Sequence, residues 1–67
     1  MRSYRRHCGR QVLVTSGDIT FAGRLVDARR DQLELADAHL VAEDGRRTPL
    51  EGLLLVEGAG VRWVQVL

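Results

Sequence analysis

From Arg10 to Leu67 apolar and polar residues tend to alternate with a period of two, the period of strands rather than helices. Val12 and Val14 alternate with Gln11, Leu13 and Thr15, which predicts a first strand. Ser16-Gly17-Asp18 is a turn. Ile19, Phe21, Gly23 and Leu25 then share one face, and Thr20, Ala22, Arg24 and Val26 the other. This is a second strand with Gly23 in its middle. A glycine inside a strand weakens it and marks a sharp bend or a close approach of backbone. The charged turn Arg29-Arg30-Asp31 leads into a third strand, in which Leu33 and Leu35 alternate with Gln32 and Glu34, running to about Val41. Glu43-Asp44-Gly45-Arg46 carries Asp-Gly between extended segments. That signal favours a type I′ hairpin and sets Glu43 opposite Arg46.

Pro49 cannot donate to a ladder and belongs at an edge or a bulge. Leu53-Leu54-Leu55-Val56 is apolar on both faces, so as a strand it should be covered on both. Glu57-Gly58-Ala59-Gly60 is a tight turn, and Val61 to Leu67 form a last strand that contains Trp63. Ahead of all this, residues 1–8 are polar. Ser3 could cap a single frayed helical turn there, and a disordered arm is the alternative. The expectation is mainly β: five short strands, bent into a small antiparallel barrel, with a short N-terminal helix as an option. Closure would limit exposed edges; an open meander is the alternative.

Length sharpens this reading. Sixty-seven residues make one domain, over 1–67, and a chain this short buries only ~60% of its unfolded surface. The usual staples are missing. Cys8 is the only cysteine, so no internal disulfide forms. Cys8, His7 and His39 are too few to hold a zinc, and no other metal or cofactor is implied. Association with further copies is the remaining remedy for a marginal core. Residues 1–10 lack the apolar stretch of a signal peptide, and no segment approaches a membrane span. Together with the lone cysteine, this predicts a cytoplasmic protein. All ten basic residues are arginine, and their placement is uneven. Arg2, Arg5, Arg6 and Arg10 stand in a segment without acids, whereas residues 18–67 hold six arginines against nine acids. The basic arm over 1–9 and Arg10 would attract phosphate or an acidic surface, or simply keep the end solvated.

The order of these features resembles the Sm-like family (Sm, LSm and Hfq proteins) over nearly the whole chain. Gly9-Arg10-Gln11-Val12-Leu13-Val14 is similar to the family's entry into its first strand. Gly17, Gly23, Leu25 and Leu33-Glu34-Leu35-Ala36-Asp37-Ala38 are similar to its first motif, and Leu53 to Val64 to its second. The resemblance implies a short helix followed by a five-stranded bent barrel. It also implies a homo-oligomeric ring, a hexamer or heptamer, in which the fourth strand of one subunit pairs with the fifth of the next. The interface residues would be Leu53, Leu54, Leu55, Val56, Val61, Trp63 and Val64. The implied activity is RNA binding rather than catalysis, with Arg29, Arg30, Asp31, Gln32 and Gly58 as contacts near a central pore. Small barrels of SH3 type, including PRC-barrel domains, share the strand pattern.

The chain departs from the family where RNA is read. The loop after the second strand is one residue short, and the acid usual in it is matched by Arg29, with Asp31 the nearest acid. Gln32 stands for the base-reading asparagine, and Glu57-Gly58 for Arg-Gly. The resemblance therefore implies weak RNA binding with little sequence selectivity, or a structural ring that has lost the RNA pocket. Arg29 and Arg30 would line the pore unless Asp27, Asp31 and Glu57 neutralise them. Trp63 could stack a base, or serve as core or interface. Cys8 beside His7 lacks a third, orienting group and is no nucleophile–base pair. His39 belongs on the hairpin surface. Gly58-Ala59-Gly60 leads into no helix and is no phosphate loop.

Overall fold

The computed structural model describes residues 4–67; Ser3 and Arg2 lie outside them. A 3₁₀ turn, Tyr4–His7, precedes six strands: β1 (Gln11–Ser16), β2 (Ile19–Ala28), β3 (Gln32–Val41), β4 (Arg47–Pro49), β5 (Leu54–Glu57) and β6 (Val61–Val66). A second 3₁₀ turn, Gly58–Gly60, joins β5 to β6. All pairings are antiparallel. The strand order is β4-β3-β2-β1-β6, and β5 also pairs with β3. Long β3 thus serves two partners on one side: β4 along His39–Val41 and β5 along Gln32–Leu35.

The alternation read from the sequence sets the faces. Val12 and Val14 of β1, Leu25 of β2, and Leu33 and Leu35 of β3 are the largest fully buried side chains. Ala28, Ala38 and Val56 join them, and half-buried Tyr4, Phe21, Leu50, Leu54, Val61, Val64 and Val66 pack around this cluster. Each large buried side chain is worth about 1.5–3 kcal/mol. Tyr4 holds the first turn against the core. The Gly9 N–H donates to the Leu25 carbonyl at 2.7 Å, and the Leu25 N–H donates to that of Arg10 at 2.9 Å.

Three bulges bend the sheet. Opposite Gly23, β3 carries two residues: Ala22 faces His39 and Arg24 faces Ala36. Asp37 takes up the slack with φ of 51°, and this turns Ala38 into the core. A second shift accommodates Val26 between the Leu25–Leu35 and Asp27–Glu34 pairs. The third falls in β6, where Arg62 is the extra residue between the Thr15–Trp63 and Ser16–Val61 pairs. Gly23 itself has no room for a side chain. A Cβ there would lie 3.2 Å from the Ala36 oxygen and 3.3 Å from both Ala38 Cα and Leu35 Cβ. The bend expected at Gly23 is therefore present, and the close approach of β3 explains it.

Four expectations need correction. The single fourth strand is two, β4 and β5, because the chain breaks over 50–53, where Gly52 adopts φ of 79°. Leu53 falls in that break. The hairpin is not type I′, which needs positive φ at both central residues. Here Gly45 has φ of 90° and Asp44 is not left-handed. The Gly45 N–H donates to the Ala42 carbonyl at 2.9 Å, and the Ala42 N–H donates to that of Arg46 at 2.8 Å. This is a turn over Glu43-Asp44 closed by a left-handed glycine, the usual three-residue loop. Arg46 consequently pairs with Asp44, Nε to Oδ2 at 2.9 Å, and not with Glu43. Finally, within one chain the segment Leu53–Val56 is covered on one face only. Val56 is buried, while Leu53 and Leu55 are 52% and 53% exposed.

Candidate nucleic-acid interface

Two connections meet at one end of the sheet, the β2–β3 loop (29–31) and the turn after β5. Their backbones are joined. The Gly58 N–H donates to the Asp31 carbonyl at 2.7 Å, and the Arg29 N–H donates to that of Gln32 at 2.8 Å. Gln32 and Glu57 are cross-strand partners, so their side chains stand side by side, with Cβ atoms typically ~5 Å apart. The five residues singled out in the sequence, Arg29, Arg30, Asp31, Gln32 and Gly58, are thus brought together.

Their charges are not equivalent. The Arg29 Nε lies 3.4 Å from Asp27 Oδ2 and 3.3 Å from Glu34 Oε2. Asp27 also receives the Arg5 Nε at 3.5 Å and the Ala28 N–H at 2.8 Å. Arg30 is exposed, and no carboxylate pairs with it among the described residues. Of the acids expected to neutralise this loop, Asp27 does so and Asp31 and Glu57 do not. The acid that the sequence reading missed is Glu34. It accepts from both Arg29 and the Gln32 Nε2, the latter at 3.4 Å. Its signal was the i, i+2 spacing that puts Gln32 and Glu34 on one face of β3. A side-chain amide beside a carboxylate turns its NH₂ toward it, so the Gln32 carbonyl oxygen is left as the outward acceptor.

The other candidates sit elsewhere. Trp63 is 56% exposed on the outer face of β6 and is therefore not core. The Arg62 guanidinium carbon lies 4.9 Å from the centre of its ring. Leu54 and Val61 are half-buried, as is Val64. Cys8 is an exposed free thiol and His39 is half-buried on β3. Among the described residues, no three His, Cys, Asp or Glu side chains gather in a way that could hold a metal ion. No helix of the described chain is long and apolar enough to cross a membrane.

The edges of the sheet complete the picture. β6 pairs with β1 on one side, and β5 pairs with β3 on one side, next to β4; among the described residues none of the three has a partner on its other side. The barrel is therefore left open between β5 and β6, and the exposed apolar side chains Leu53, Leu55 and Trp63 flank the opening.

No protein-family model and no curated protein matches the chain. Solved structures do. A heptameric archaeal Sm protein is 26% identical, with a TM-score of 0.82 over 92% of this chain and 91% of its own. The Sm protein of Pyrococcus abyssii, solved in complex with a uridine heptamer, is 25% identical, with a TM-score of 0.83 over 92% of this chain and 89% of its own. The Sm protein heptamer of P. aerophilum is 26% identical, with a TM-score of 0.82 over 92% and 84%. The bent antiparallel sheet, the order of its strands and these likenesses to Sm proteins support an Sm-like family for the chain.

Proposed function

We propose that this protein assembles into a homo-oligomeric ring, a hexamer or heptamer, that binds RNA weakly and with little sequence selectivity in the cytoplasm. The observation that carries the reading is the pair of unpartnered edges, β5 and β6, on an Sm fold. An exposed edge strand is a template for another strand. Two different edges of one molecule make a head-to-tail contact, which closes into a ring if the rotation allows. Self-association is what the similar archaeal heptamers do, and RNA binding is what the similar protein with a uridine heptamer does.

In such a ring the 29–31 loops gather around the pore, and each copy offers the unpaired Arg30 to a phosphate. Base reading is poor because Gln32 is tied to Glu34 and Glu57 stands uncompensated beside it. Neither arrangement favours one base strongly. The lone cysteine, exposed as a thiol, agrees with the cytoplasmic placement. The reading is of a binding protein and not an enzyme.

The second reading, a structural ring without RNA, draws on Arg29, whose guanidinium is already occupied by Asp27 and Glu34. Native mass spectrometry followed by titration of uridine-rich and adenine-rich oligomers at two salt concentrations separates the two. With one phosphate per copy of a heptamer, the logarithm of affinity falls with that of salt at a slope of about −5. Affinity should thus drop about 10³-fold between 50 and 200 mM. Arg30→Ala should abolish most of it. Tight uridine-selective binding insensitive to salt contradicts the weak-binding reading, and no binding at low salt leaves the structural ring. A folded monomer at micromolar concentration overturns both.

A further inference from the structure

The two free edges differ in charge as well as in position. The break after β4 and β5 itself, residues 50–57, contain Glu51 and Glu57 and no basic residue, with Arg47 at the far end of that side on β4, whereas residues 58–67 contain Arg62 and no acid. On β5 the outward side chains are Leu55 and Glu57, because Val56 and Leu54 point to the core. On β6 they are Trp63 and Gln65, and the bulge adds Arg62, whose guanidinium lies over the Trp63 ring. Among the described residues neither Glu57 nor Arg62 has an ion-pair partner within its own chain. One edge is therefore apolar and acidic, and the other aromatic and basic. Two β5 edges brought together supply only carboxylates, and two β6 edges only guanidinium groups. Only unlike edges compensate one another.

We propose that the β5 edge of one copy and the β6 edge of the next are matched by charge, with Glu57 pairing with Arg62 of the neighbouring copy and Trp63 covering Leu55. This deepens the ring reading above and rests on it. The pairing fixes strand direction. Antiparallel strands bring the last residue of β5 beside the first residues of β6, so Glu57 meets Arg62. Parallel strands would set Glu57 beside Val64 and leave both charges unpaired. The stacking of Arg62 on its own Trp63 holds the guanidinium ready, so less side-chain freedom is lost on contact. The charge match also selects against like-edge dimers, which would end growth before a ring closes.

The test is a charge exchange read by native mass spectrometry and sedimentation on the full chain. Both residues are exposed, and circular dichroism checks that each variant folds. Glu57→Arg alone leaves two basic edges, and Arg62→Glu alone leaves two acidic ones. Each should raise the concentration for half-assembly about a hundredfold. Mixed in equal amounts, the two variants should form alternating rings with an even number of subunits. The chain carrying both exchanges should assemble alone. Trp63 is the only tryptophan, so its emission should shift to the blue on each assembly. If wild type assembles and the single variants assemble as well as it does, the charge match is wrong while the ring stands. Single variants that dissociate and are rescued neither by mixing nor by the double exchange overturn it as well. A folded wild-type monomer overturns the ring reading and this inference with it.

Discussion

Replacing Gly23 by valine probes the bend that shapes the barrel. A Cβ at this position meets the Ala36 oxygen at 3.2 Å and Ala38 Cα and Leu35 Cβ at 3.3 Å. Two of these three atoms belong to the backbone of β3, which β5 holds on its far side up to Leu35 and β4 from His39 onward, so it cannot simply step back. Alanine alone would require shifts of a few tenths of an ångström. Crowding of this sort costs ~1–3 kcal/mol, offset by ~0.4–1 kcal/mol from a stiffer unfolded chain. Valine adds two methyl groups in the same space, and we expect a net loss of ~2–4 kcal/mol. A domain of this size is stable by only ~3–10 kcal/mol. At ~4–8 °C per kcal/mol, the melting temperature should fall by ~8–32 °C. Because assembly adds concentration-dependent stability, wild type, Gly23→Ala and Gly23→Val must be compared at one protein concentration. Gly60→Ala is the control. Its Cβ would lie 2.9 Å from Ser16 Oγ, a hydroxyl that can rotate away, so it should cost less than ~1 kcal/mol. A Gly23→Val protein that melts within a few degrees of wild type would show that β3 does not press on β2 there.

Asp37 holds the bulge in a left-handed conformation, so Asp37→Val should destabilise by ~1–3 kcal/mol while Asp37→Gly is nearly neutral. Urea denaturation that ranks glycine below valine would refute the bulge. The loss of the Arg24–Asp37 ion pair adds little in either variant, since both side chains are exposed. The Asp44 carboxyl should titrate below the ordinary aspartate value, because the Arg46 N–H donates to it at 3.0 Å and the Arg46 guanidinium at 2.9 Å. A depressed pKa in the folded state means that the contact helps above the ordinary value of ~3.9 and is lost as pH falls through the lower one. A nuclear magnetic resonance titration that finds Asp44 at or above the ordinary value would remove that bond.

Much of the fold was legible because the strands with one buried face announce themselves. Val12 and Val14, and Leu33 and Leu35, alternate without interruption, and their faces came out as the period dictates. The errors fall where backbone geometry overrides the period. Nothing in the residue types of Leu50-Glu51-Gly52-Leu53 distinguishes a strand that continues from one that breaks and resumes, since both keep Leu50 and Leu54 near the core. The hairpin failed for a related reason. Asp-Gly suits two loop lengths, and the choice between them depends on how Ala42 and Arg46 register across β3 and β4. The bulge at Asp37 was hidden because a period of two says nothing about an extra residue; only the register of two strands reveals it.

The candidate site was legible by composition and not by pairing. The sequence places Arg29, Arg30, Asp31 and Gln32 in one loop and strand start, and topology adds Gly58. Which arginine is free depends on Asp27 and Glu34, which reach the loop from the ends of β2 and β3. The same separation bears on what the proposed ring can do. Residues that shape the backbone, Gly23 above all, are held by close contacts that leave little room for a side chain. Of the residues that would touch a nucleic acid, Arg29 and Arg30 are exposed and Gln32 is half-buried, and none belongs to the core cluster, so Gln32 and Glu57 can differ from the family at little cost to the fold. Glu57 has a second consequence that a pore residue alone would not. It stands at the end of an edge strand as well as beside Gln32, so a charge that weakens phosphate binding is also the charge that can hold Arg62 of a neighbour. On the proposed reading, weak RNA affinity and firm ring closure would both follow from one side chain. Neutralising it in Glu57→Gln should loosen the assembly and tighten RNA binding per assembled ring, whereas a change in RNA binding alone would place Glu57 in the pore and not in the contact.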